Sequence, residues 1–110
     1  MEIEPFIELH SREELRSWLI DNCETCDFAW IPSNRSIEPK ENTIPYTEIV
    51  EECLCFGWID STCKRMDDGR LAQRISPRRK QSHWTELNKK RCHDLENLGL
   101  MTDFGRIYPE

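Results

Sequence analysis

Residues 53–60, CLCFGWID, decide how the chain is divided. Cys53 to Phe56 continue an apolar pattern of helical period that starts at Tyr46, with Ile49, Val50, Cys53, Leu54 and Phe56 as the inward stripe. Gly57 is a natural left-handed stop for that helix. Trp58, Ile59 and Asp60 then open a strand-length run, WIDSTCKRM, which MDDG joins to a second run, RLAQRIS. Asp-Gly between two such runs predicts a β-hairpin. The stretch is thus a helix ending and a strand beginning, and its cysteines read as small core side chains. Asp60 is its one chemically open residue, because a carboxylate in a strand beside the core is costly if it is left unpaired.

Upstream, Ser11 and Glu14 form a capping-box pattern before REELRSWLIDN, which predicts a helix from about Arg12 to Asn22 with Leu15, Trp18 and Leu19 at helical spacing. DFAWIP reads as a short strand closed by Pro32, and SNRSIEPKENTIP as an exposed loop. Downstream, PRRKQ is a connector. Ser82 or Thr85 can cap a third helix that runs to about Asn97, with Trp84, Leu87, Arg91 and Leu95 on one face and Gly99 beyond its end. The tail LMTDFGRIYPE has apolar residues but no period. The expectation is an α+β domain: a small twisted sheet of about three strands, including the hairpin, packed with about three helices. If the first two strands are neighbours, the helix from Tyr46 is a right-handed crossover between them.

The chain has 110 residues, enough for one domain with a single core. Its 37% apolar and 33% charged residues fit a soluble domain with a charged surface. No apolar run approaches the roughly 18 residues of a membrane span. The acidic start, MEIEPFIELHS, lacks the basic and apolar regions of a secretory signal, so a cytoplasmic location is expected. The net charge of −6 is uneven: residues 1–69 carry −10, residues 70–91 carry +7 and the remainder −3. The basic island can face an anionic partner, or complement the acidic half of its own chain.

The six cysteines, at 23, 26, 53, 55, 63 and 92, read as reduced thiols without an export signal. Cys23-Glu-Thr-Cys26 has the spacing of redox or zinc pairs, but it closes a helix, where the dipole disfavours a thiolate, and no second ligand pair accompanies it. His10, His83 and His93 have no metal-ligand spacing. No metal, cofactor or catalytic residue is expected, and no phosphate loop, nucleophile elbow or zinc-protease motif occurs. Asp60, Arg74, Arg78, Ser82, Trp84 and Asn88 nevertheless bring guanidiniums, a hydroxyl, an aromatic face and a carboxamide to a strand–loop–helix junction, a set suited to an anion. Hairpin register decides whether Arg74 meets Asp60 as a structural ion pair or leaves it for a ligand.

The run TIPYTEIVEECLCFGWIDS, followed by Lys64, DDG, RISPRRKQSHWTELNKKR and LGLM, resembles the bacteriocin-protection or OmpD-associated (YdeI-like) family, as do the positions of Trp18 and Trp30. Cys53 departs from the family's usual alanine, Ser61 from its glycine, and Ile75-Ser76 from its Phe-Thr. The resemblance covers most of residues 12–101. It implies a single domain over residues 1–110, without the lysine-rich helical C-terminal region of many members, and a context of bacteriocin protection and stress response. It brings no agreed activity. It lends weight to Trp58, Asp60, Arg74, Pro77, Arg78, Ser82, Trp84 and Asn88. The leading expectation is a non-enzymatic binding protein for a small anionic ligand or a protein partner, without membrane insertion. The alternatives are nucleic-acid binding through residues 70–91, with Trp84 as a stacking platform, and an enzyme using Asp60 or His83 as base.

Overall fold

The computed structural model describes residues 3–36, 38, 40–78 and 85–106. These form an α+β domain with helices α1 (Arg12–Asn22), α2 (Tyr46–Cys55), α3 (Glu86–Asn97) and α4 (Asp103–Arg106) and strands β1 (Ala29–Asn34), β2 (Ile44–Pro45), β3 (Trp58–Arg65) and β4 (Leu71–Pro77). Among the described residues no helix is long and apolar enough to cross a membrane.

Helix α1 starts where the capping box predicts. The Ser11 hydroxyl accepts from the Glu14 amide at 3.1 Å. The Glu14 carboxylate reaches one residue further back than a standard box and accepts from the His10 amide at 2.7 Å. Leu15 and Leu19 are fully buried. At the far end the Cys23 amide donates to Leu19, while its carbonyl accepts from the Trp58 indole at 3.1 Å. Cys23 therefore joins the helix end to the core, and all six thiols are free.

Helix α2 is the hub, packed against β3, α1, α3 and α4. Ile49, Val50, Cys53 and Leu54 are buried as expected, and so are Glu52 and Cys55, because neighbours cover the helix on several sides. Gly57 ends it with φ 74°. A Cβ there would lie 2.6 Å from the Phe104 carbonyl oxygen, so both backbone conformation and close approach require glycine. The tail, aperiodic in sequence, forms α4 against this end. Thr102 donates to the Cys55 carbonyl through its amide at 3.1 Å and also through its hydroxyl, meeting a carbonyl that the helix leaves open. Phe104 stacks on Phe56 at 6.5 Å.

The sheet order is β2-β1-β4-β3, with β2 parallel to β1 and the remaining pairs antiparallel. The hairpin forms as predicted, β3 to β4, with Gly69 at φ 92° in its turn. The two strands expected to be neighbours, β1 and β3, are not, however: β4 pairs with both and lies between them. The crossover through α2 therefore passes over β4. Pro32 does not close β1, which continues to Asn34. The amide and carbonyl of Trp30 point to the outer edge, where they bond Pro5 and Ile7. Pro32, two residues on, turns its missing donor to that same edge, where no ladder bond is required.

Register in the hairpin is broken once. Asp60 faces Ile75, then Cys63 faces Gln73, so Ser61 and Thr62 together oppose Arg74 in a β-bulge. The carboxamide of Gln73, fully buried, donates to the carbonyls of Ser61 and Thr62 at 3.2 Å each. Strict alternation predicts Thr62 and Lys64 on the face of Asp60. The bulge shifts the count by one and puts Cys63 there instead. In α3, Thr85 is the cap, accepting from the Asn88 amide at 3.1 Å. Cys92 and Leu95 are its buried residues, whereas Leu87 is 56% exposed and does not join the inward face.

Candidate functional site

Asp60 shares the face of Ile75, the side packed beneath α2. Tyr46, the first residue of α2, lies above it and its hydroxyl donates to Asp60 Oδ2 at 2.7 Å. Tyr46, Val50 and Cys53 follow each other at helical spacing, so the carboxylate also lies near the Cys53 thiol. Burial pushes that thiol well up, and the charges of Asp60 and Glu52 add to the effect. Burial likewise raises the Tyr46 phenol above its ordinary value, helped by the hydrogen bond to Asp60. Arg35 and Arg91 act in the opposite direction. The Arg35 guanidinium carbon stands 4.0 Å from the centre of the Tyr46 ring, a cation–π contact. Arg91, on the half-buried face of α3, donates to Asn88 Oδ1 at 3.0 Å.

The structure therefore gathers Asp60 and Asn88 into one corner with Tyr46, Arg35 and Arg91. Arg78 adjoins it along α3. It is 6% exposed, its amide donates to the Gly57 carbonyl at 2.8 Å, and its charge tempers the burial-raised Cys92 thiol, one helical turn from Asn88. Arg74 is elsewhere. Because Asp60 registers with Ile75, Arg74 points to the opposite face, where its guanidinium lies 4.4 Å from the Phe28 ring centre and contacts Ser61 Oγ at 3.4 Å. The two do not form an ion pair. Ser82 and Trp84, with His83, lie outside the described residues.

Three residues of the corner were not singled out as site residues by sequence reasoning. Tyr46 opens a helix directly after a proline, a place from which a phenol can reach back to the sheet, and this was the one available signal. Arg35 comes from the aperiodic β1–β2 connection, and Arg91 reads only as a member of a helical stripe. A second buried charge cluster has a different character: Glu52 accepts from Arg12 and Arg16 of α1 and clamps two helices together. Among the described residues no group of three or more His, Cys, Asp and Glu side chains is placed to hold a metal ion.

The corner contains two guanidiniums and a carboxamide around a phenol–carboxylate pair. Its cationic charge exceeds its anionic charge, and guanidiniums suit planar or tetrahedral oxyanions. Fold and corner together define a small α+β domain with a cationic corner at a helix–strand junction. The chain belongs to the family described as a domain of unknown function (DUF8412), which matches residues 7–107. Neither a curated protein nor a solved structure matches it.

Proposed function

We propose that the protein is a non-enzymatic cytoplasmic binding protein with a stress- or bacteriocin-protection role. Its ligand is a small anion, or an acidic group of a protein partner, held at the Tyr46–Asp60 corner. The observation that carries this reading is a phenol–carboxylate hydrogen bond of 2.7 Å with the Arg35 guanidinium on the phenol ring and Arg91, itself bonded to Asn88, acting on the phenol through its charge. Asp60 and Tyr46 would orient the guanidiniums, and Arg91 and Arg35 would take the anion. Arg78, along α3, would add to the positive field. The protective role rests on the resemblance to bacteriocin-protection proteins.

The disposition of the basic segment favours a small anion over nucleic acid. Arg70 is held by Glu8 and Asp68 at 2.8 Å each, and Arg74 lies on Phe28. The test is a thermal-shift screen of the whole chain against orthophosphate, citrate and nucleoside monophosphates. A ligand at one hundred times its Kd stabilises the fold by about 2.7 kcal/mol. The expected result is a rise in Tm with at least one anion, reduced in Arg91→Gln and Tyr46→Phe. If no anion or acidic peptide shifts the wild type, the reading fails.

A further inference from the structure

Away from the corner, an open cleft of about 510 Å³ lies between the β1–β2 connection and the turn of the β3–β4 hairpin. Its size falls within the roughly 300–1,000 Å³ typical of small-molecule sites. Arg35 and Lys40 stand on one wall and Arg65 on the other, with Glu41 as the lining acidic residue that has no ion pair among the described residues. Asp68 and Arg70, which also line it, are bound to each other at 2.8 Å. Arg70 also donates to the Asn42 carbonyl at 3.0 Å and so ties the hairpin to the connection. The walls are thus braced, and the charge left over is positive.

The floor carries an independent observation. Ser33, at the end of β1, is 1% exposed, lines the cleft, and its hydroxyl has no hydrogen-bond partner among the described residues. Its neighbours are committed: Asn34 Nδ2 donates to Thr43 Oγ1 at 2.7 Å, and Asn34 Oδ1 accepts from the Ser36 amide at 3.2 Å. A buried hydroxyl left unbonded is costly, so a lone one beside an otherwise ordered polar wall points to a missing acceptor. Arg65 spends one donor on the Gly69 carbonyl at 2.8 Å and keeps the rest of its fork. We propose that this cleft is a second binding site, for a small phosphorylated molecule whose phosphate oxygens accept from Ser33 and pair with Lys40 and Arg65. The site is separate from the Tyr46–Asp60 corner except for Arg35, whose stack on Tyr46 fixes its guanidinium at the cleft edge.

The experiment is a nuclear magnetic resonance titration of the whole ¹⁵N-labelled chain with inorganic phosphate and with ribose 5-phosphate. Saturable shifts are expected at the amides of Ser33, Asn34, Ser36 and Gly69 to Leu71, with ribose 5-phosphate the tighter ligand. Lys40→Ala and Arg65→Ala should each weaken binding about tenfold, as loss of a charge-assisted bond implies. Ser33→Ala should weaken it about fivefold without lowering the Tm of the free protein, because the hydroxyl it removes has no partner to lose. A lowered Tm with unchanged affinity would make Ser33 structural and overturn the proposal. So would shifts that never saturate. Phosphate binding lost in Arg91→Gln but kept in Lys40→Ala would place the anion at the corner, which removes the cleft site and leaves the proposed function standing. Binding lost in Lys40→Ala and Arg65→Ala alone, with no anion effect at the corner, would do the reverse.

Discussion

Removing the Glu52 carboxylate tests the packing of α1 on α2. Glu52 is 2% exposed and accepts from Arg12 Nε at 3.0 Å, Arg12 Nη2 at 2.6 Å and Arg16 Nη1 at 3.0 Å. Breaking a buried ion pair from one side costs about 3–5 kcal/mol, most of it the cost of the charge left behind. Here the stranded charges are guanidiniums whose side chains are 28% and 29% exposed, so water reaches them in part. Arg12 also keeps Glu51 at 3.2 Å, and Arg16 keeps the Leu100 carbonyl at 2.6 Å. These remaining partners place Glu52→Ala at the lower end, about 3 kcal/mol. Glu52→Gln retains the volume but only neutral acceptors, which are roughly half as strong, so about 1.5 kcal/mol is expected. The assay is urea unfolding followed by tryptophan fluorescence, with unchanged m-values as the sign that the fold is kept. Arg16→Ala in the Glu52→Ala background should cost less than Arg16→Ala alone, which a double-mutant cycle reports directly. A loss below about 1 kcal/mol for Glu52→Ala would refute the assignment of these bonds as the clamp between the helices.

Gly57→Ala combines a left-handed backbone with a Cβ 2.6 Å from the Phe104 carbonyl, so it should cost at least about 3 kcal/mol, against about 1 kcal/mol for Gly69→Ala, whose Cβ meets nothing within 4 Å. Equal losses in chemical denaturation would refute the close approach of α4 to α2. The Arg70 guanidinium, with His10, holds the Glu8 carboxyl down to about 2 from an ordinary 4.5. A depressed folded-state pKa gives stability that is present above pH 4.5 and is lost as pH falls toward 2, so the acid limb of a Tm-versus-pH curve should flatten in Arg70→Ala. An unchanged limb would refute the pair. In a Tyr108→Phe background, which leaves Tyr46 as the one tyrosine, absorbance titration should show Tyr46 ionising above its ordinary 10, and Asp60→Asn should lower that value. A rise in Asp60→Asn would refute the hydrogen bond.

Features with a local cause were legible in the sequence. The Ser11 cap, the Asp-Gly turn, the Gly57 stop and the inward stripe of α2 depend on residues within a few positions of each other. The features that escaped have causes at a distance. Strand β2 has two residues and α4 has four, too short for any period. Each exists because a distant group needs it: β2 extends the edge of β1, and α4 follows the Thr102 donors to the end of α2. Glu52 looks like a surface residue in an acidic helix until α1 brings two arginines to it. Leu87 looks inward by spacing, yet α3 turns Asn88, Arg91 and Cys92 to the core instead.

The site was legible by half for a similar reason. Asp60 was open in the sequence because its meaning depended on the arginine it faced, and that depends on register, which a one-residue bulge alters. Its face follows from its pairing with Ile75, which turns it from Arg74 and toward α2. What meets it there is a phenol at the first residue of that helix, placed by the Pro45–Tyr46 step that joins β2 to α2. The connection between β1 and β2 supplies Arg35, which stacks on Tyr46 and borders the cleft. A change that lifts Tyr46 from Asp60 must therefore move Arg35, while a change confined to Lys40 or Arg65 need not disturb the phenol. The corner and the cleft are thus coupled through one side chain, and they remain separable by mutation because only that side chain is shared.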